Sequence, residues 1–257
     1  MRHAATSRCL AARCSIDARL SRSRCVITIR RAGERLHTRI GWLDSRHTFS
    51  FKEHIDPRHM GFRALRVVNE DRIAPAQGYG THARRDVEIV TYVIEGTLRH
   101  HDSLGSGAVV TAGGLQRMGA GTGVLHSELN ASDTELLHLL EIWITPERTR
   151  LPPSYEHRAF PHADRRGELT LMASRDGRAG SVTIRQDIDI LSCLLQKDEI
   201  AARPIQPGRH VWVQVLQGNV QLNGVTFASG DGGSVSNEPT LELRSSSASE
   251  TLLFVLG

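Results

Sequence analysis

VIEGTLRHHDSLGSGAVVTAGGLQRM (residues 93–118) and VLQGNVQLNGVTFASGDGGSV (residues 215–235) follow one plan. Each runs a V-x-x-G strand end into an alternating strand, a glycine turn, and a small residue with glycine before the next strand. Gly96 and Gly218 correspond, at an offset of 122 residues. A repeat of this length predicts a duplicated domain rather than a solenoid.

The rest of the chain extends the pattern. CVITIR, EIVTYVIEG, LLHLLEIWI, GSVTIRQ, VWVQVLQG and TLLFVLG are short β-branched runs closed by turn signals, which predicts an all-β sandwich or barrel. Long helical periodicity is scarce, and residues 187–200 read equally as a short helix or a strand pair. Pro152, Pro153 and Pro161, followed by the charged HADRRGE (162–168), mark a crossover between halves. The expected organisation is an N-terminal domain over 26–150 and a C-terminal domain over 151–257, after a basic extension over 1–25.

The 257 residues suffice for one large core or two moderate ones. The pI of about 9.2 is a local effect. Residues 1–25 hold six arginines against the single acid Asp17, a charge of +5, whereas the whole chain carries +4. The remainder is therefore at −1, and no nucleic-acid groove is expected. The extension is Arg- and Ser-rich and acid-poor, as a mitochondrial presequence would be, but reads more simply as an unstructured addition. Cys193 stands alone in the body, so no disulfide framework is implied and a reducing, cytoplasmic setting fits. No run approaches the 18 or so apolar residues of a membrane span.

Candidate chemistry lies in the first half. Positions i and i+2 of a strand share a face, about 6.6 Å apart. His82/Arg84 in THARRD and His126/Glu128 in VLHSELN are two such pairs, and adjacent strands would bring the four groups to one point. Three of them are ligand types. Two imidazoles with a carboxylate suit iron, manganese, nickel or zinc better than calcium or magnesium. The second copy has only His210 nearby. GAGTGV (119–124) leads into a strand rather than a helix, so it is no dinucleotide fingerprint. His100 and His101 read as surface or turn residues, His138 as a satisfied core histidine, and Glu88 as an ion-pair partner of Arg84 or Arg85.

GTHARRDVEIVTYVIEGTLRHHDSLG, GAGTGVLHSELN and ELLHLLEIWITPE, in this order, resemble the pirin family of the cupin superfamily, nearest its bacterial quercetin 2,3-dioxygenase subgroup. The resemblance runs from HTFSF (47–51) through the second half. It implies a bicupin: two tandem β-barrels of the double-stranded β-helix type, with few short helices and a divalent metal in the first barrel only. The family's ligands are the histidines of an H-P-H motif and the His and Glu of an H-x-E motif. His82, His126 and Glu128 match these; Arg84 replaces a ligand and Ala83 the proline. The implied chemistry is oxidative opening of a flavonol by O₂ with release of carbon monoxide, Glu128 serving as ligand and base.

Arg84 leaves two arrangements open. In one, His82, His126 and Glu128 hold the metal and Arg84 turns away, towards Asp86 or a bound anion. In the other, Arg84 takes the metal's place and pairs with Glu128, leaving a regulatory or binding protein without catalysis.

Overall fold

The structure, a computed structural model, describes residues 26–257; the basic extension lies outside the described residues. Each half contains a seven-stranded and a four-stranded sheet, and three short 3₁₀ turns are the helical elements among the described residues. No helix among them is long and apolar enough to cross a membrane. The ambiguous stretch at 187–200 resolves into the strand Ile188–Leu195 and a turn leading to Ile200–Pro204.

The large sheet of the first half runs Ser154–Ala159, Gly114–Gly119, Glu88–Glu95, Leu137–Ile144, Leu65–Ile73, Leu43–His47, Leu36–Ile40. Facing it is the small sheet Gly78–Arg84, Val124–Asn130, Thr97–Asp102, Gly107–Thr111. The second half repeats the plan: Glu88–Glu95 and His210–Gln217 are related by the same 122 residues as Gly96 and Gly218. Both glycines have φ near +80°, and a Cβ there would collide with the backbone of Leu136–Leu137 or of Ala248–Ser249. The V-x-x-G signature therefore marks a turn where only glycine fits.

The division at residue 150 does not separate the sheets cleanly. Val26–Arg30 pairs with Gly232–Ser236 in the C-terminal large sheet, while Ser154–Ala159 pairs with Gly114–Gly119 in the N-terminal one. Each half lends a strand to the other.

Strand alternation sets the layers. In Glu88–Glu95, Ile89, Thr91 and Val93 face the barrel interior, while Val90 and Tyr92 join a core shared with Ile190, Trp212 and Phe254 of the second half. The large sheets are thus buried on both faces and read as continuous apolar runs. Inside the C-terminal barrel one unbroken apolar cluster extends from Val211 to Leu243 and Val255. The N-terminal interior instead holds two separate apolar clusters, one around Leu98 and Leu139, the other around Met118 and Val124. Between them lies a polar belt.

Candidate metal centre

The small sheet of the first half supplies the belt. Along Val124–Asn130 burial alternates, so Val124, His126, Glu128 and Asn130 point inward. His126 lies opposite His82 on one neighbouring strand, and Glu128 lies opposite His100 on the other. The register with Gly78–Arg84 shifts between His126 and Glu128, leaving an extra residue on that strand. This bulge lets Tyr79 and His82, three positions apart, both line the cavity.

His100, His126 and Glu128 each bring one ligand atom into a group whose members all lie within 4.8 Å of one another. Nδ1 of His100 and Nδ1 of His126 stand 3.8 and 4.0 Å from Glu128 Oε1. Both ring nitrogens of His126 are buried without a hydrogen-bond partner. Burial pushes its pKa down to about 4, with His82, His100 and Arg84 adding to the effect against Glu128, so the ring is a neutral imidazole. Two buried unpaired nitrogens cost free energy unless something binds them. An imidazole–carboxylate set in this state fits a transition metal.

The flanking histidines are held in ligand-ready tautomers. His100 Nε2 donates to Asp102 Oδ2 at 3.0 Å, which leaves the lone pair on Nδ1, buried and without a hydrogen-bond partner. Burial opposes charge on His100, but Glu128 and Asp102 outweigh it and its pKa is raised. His82 Nδ1 donates to the Gly80 carbonyl at 2.8 Å, which leaves the lone pair on Nε2; its ring centroid is 4.4 Å from that of His126.

The facing sheet braces Glu128. Gln116 Nε2 donates to Glu128 Oε1 at 2.6 Å, and Tyr155 Oη donates to Gln116 Oε1 at 2.9 Å, which fixes the amide's orientation. Tyr155, on the lent strand Ser154–Ala159, also stacks on His100 with centroids 4.3 Å apart. Deeper still, Asp71 and Glu141 are pushed up by burial and by the charges around them, Glu128 included. A cavity of about 360 Å³ opens above the belt, walled by Trp42, Phe51 and Tyr79, with Lys52 and Arg84 in its lining.

Four expectations need correction. His100 is fully buried rather than a surface or turn residue, because it shares the inward parity of Leu98; His101 is the exposed member of the pair. Arg84 does not pair with Glu128: among the described residues no acid lies within ion-pair distance of it. The antiparallel register explains this, since Arg84 lies opposite Val124 and Glu128 opposite Tyr79, on either side of the His82–His126 pair. At about 3.3 Å per residue, the two backbones are separated by roughly 13 Å along the strands. Nor does Arg84 turn to Asp86, whose Oδ1 accepts from the Arg150 backbone; its guanidinium lies 4.7 Å over the Trp143 ring. Glu88 faces Arg117 at 3.7 Å instead of Arg84 or Arg85, since residues 85–87 end one strand before the next begins. His138 is a buried histidine bonded to Glu70 at 2.9 Å.

His100 was legible in the alternation of LRHHD. Gln116, Tyr155 and Asp102 carry no local signal, because their roles depend on which strands become neighbours. The second barrel makes the point by contrast. Leu222 occupies the position of His100, 122 residues on, and pairs with Leu243 as His100 pairs with Glu128; Leu241 then stands for His126. All three leucines are buried in the apolar cluster, so this barrel has leucine side chains where the first has candidate ligands.

Comparison with known proteins agrees with this architecture. Residues 29–144 match the Pirin family and residues 171–256 the quercetinase C-terminal cupin domain family. Quercetin 2,3-dioxygenase of Escherichia coli (strain K12) is 47% identical over 231 residues, covering 90% of this chain and 99% of that protein. The crystal structure of YhhW from Escherichia coli superposes with a TM-score of 0.87 at 47% identity, over 90% of this chain and 98% of that one. The bacterial pirin YhhW in complex with nickel(II) gives 0.85 at 48% identity, over 90% and 99% of the two chains.

Proposed function

This chain belongs to the pirin family, and from that premise we propose that it is a quercetin 2,3-dioxygenase-like, metal-dependent enzyme that opens flavonol-type aromatic substrates with O₂. The observation that carries the reading is the buried group of His100, His126 and Glu128, with both His126 nitrogens unpartnered, beneath an aromatic-walled cavity. The nickel complex of the Escherichia coli pirin supports a divalent metal here.

His126 and Glu128 would hold the ion, joined by His82 and His100 from the flanking strands. When bound, a divalent metal supplies Lewis-acid polarisation of the 3-hydroxy-4-keto edge of a flavonol. Glu128 accepts the hydroxyl proton on its carboxylate, while the Gln116 amide keeps Oε1 in place. Trp42, Phe51 and Tyr79 supply apolar walls for the flat ring system. The cavity is of the size that encloses a small polycyclic ligand.

The test pairs elemental analysis of the purified protein with O₂ uptake on quercetin. Wild type is expected to carry close to one divalent ion per chain and to consume O₂. His126→Ala should lose most of both. Full metal content or full turnover in that variant would overturn the assignment.

A further inference from the structure

Arg84 has no structural partner that accounts for it. A guanidinium carries five N–H donors. Among those of Arg84, Nη1 reaches the Ala83 carbonyl at 3.2 Å, and the buried Nε reaches nothing. Among the described residues no carboxylate lies within ion-pair distance of it. The two acids in the cavity lining are engaged elsewhere: Glu128 by Gln116, and Glu141 by the Trp143 indole N–H at 3.0 Å. Its guanidinium carbon sits 4.7 Å from the centre of the Trp143 ring, a contact that uses none of the N–H donors.

Lys52 lines the same cavity. Its ammonium lies 5.2 Å from the Phe51 centroid, and it too has no acid within ion-pair distance among the described residues. The cavity thus presents two cations that no acid pairs directly, each beside an aromatic ring, in a lining that also holds Glu128 and Glu141. A planar fork with unused donors is the group that binds a carboxylate or sulfonate bidentately.

We propose that Arg84, assisted by Lys52, forms an anion subsite, so that this chain takes planar aromatic ligands bearing a fixed negative charge in preference to neutral ones. The proposal rests on the reading of the cavity as an aromatic substrate site and narrows it to aromatic anions. The residue that departs from the H-P-H pattern is then a determinant of specificity.

The test is equilibrium binding of naphthalene-2-sulfonate and of its neutral analogue methyl 2-naphthyl sulfone to the purified full chain, by calorimetry. The sulfonate is chosen because it coordinates metals weakly. Wild type should prefer the sulfonate by about ten-fold or more, as charge-assisted hydrogen bonds allow. Arg84→Met should abolish that preference by weakening the sulfonate far more than the sulfone, Arg84→Lys should keep part of it, and Lys52→Met should reduce it less. No preference in wild type, or a preference that survives Arg84→Met, overturns the proposal. So does equal loss of both ligands in a variant with wild-type thermal stability, which would make Arg84 a wall residue only. If Arg84→Met does not fold, a preference unchanged in both Arg84→Lys and Lys52→Met overturns it equally. Absence of O₂ uptake on quercetin alongside an intact sulfonate preference would sink the dioxygenase reading and leave the subsite standing.

Discussion

Arg84 brings a permanent positive charge to a cavity built to receive a metal. The guanidinium contributes to the lowered pKa of His126, so it is close enough to be felt by the ligand set. Like charges repel more strongly in an enclosed site than in water. Removing the cation should therefore relieve metal binding. Arg84→Ala is expected to bind nickel(II) no worse than wild type, and Arg84→His distinctly better, because it adds a donor as it removes the charge. Competition against a chromophoric chelator measures both. Weaker binding in both variants would show that Arg84 supports the ion. At this scale the i, i+2 spacing singled out His82, His126 and Glu128 as candidates and Arg84 as the odd member; the structure groups His126 and Glu128 with His100. The sequence could not show where Arg84 points, because Trp143 lies 59 positions away in the chain.

Strand register governs the next level. Glu70, in Leu65–Ile73, accepts from His138 on the adjacent Leu137–Ile144 at 2.9 Å and from Arg35 at 2.7 Å, with Arg72 at 3.0 Å. Burial opposes the charge on Glu70, yet His138 and Arg35 outweigh it and hold its pKa well below the usual carboxylate range. A carboxylate with a depressed folded-state pKa stabilises the fold above its unfolded pKa of about 4.5. That stability is lost as pH falls towards the folded value. Glu70→Gln should thus lower the urea midpoint at pH 7, and should narrow its gap to wild type as pH drops from 5 to 3.5. A constant gap across that range would show that the Glu70 charge does not contribute. The strands themselves were visible as apolar runs between glycines. Their neighbours were not: nothing in LRHHD announces that Glu128 will lie opposite His100. Nothing in SYEHRA (154–159) announces that Tyr155 will cross to brace Gln116.

On the scale of the whole molecule, two sheets meet back to back with a fully buried arginine between them. Arg165 is fully buried in the crossover turn. Its Nη1 donates to Tyr92 Oη of the first half at 3.0 Å, and to Ser192 Oγ at 2.6 Å and Glu250 Oε1 at 3.1 Å of the second. Removing one partner of such a pair strands the other charge out of water. Arg165→Met is expected to cost about 3–5 kcal/mol of unfolding free energy in urea, and a double Arg165→Met/Glu250→Leu replacement should recover much of it. A single variant as stable as wild type would remove Arg165 from the account of how the halves are joined. The duplication was readable from Gly96 and Gly218, since a turn that admits only glycine leaves its mark in the sequence. The arginine was not, because HADRRGE reads as solvent-facing charge until both sheets close over it.

The exchange of outer strands also sets an order of assembly. Val26–Arg30 leaves the ribosome about two hundred residues before Gly232–Ser236, the segment it must zip against. Until Ser154–Ala159 follows, Gly114–Gly119 is an open edge and Gln116 lacks the phenol that orients it. A catalytic half cut from the gene at residue 150 would carry every candidate ligand yet miss the strand that sets their orientation. The second barrel, with leucines where the first carries its candidate ligands, is where the first strand is finally anchored.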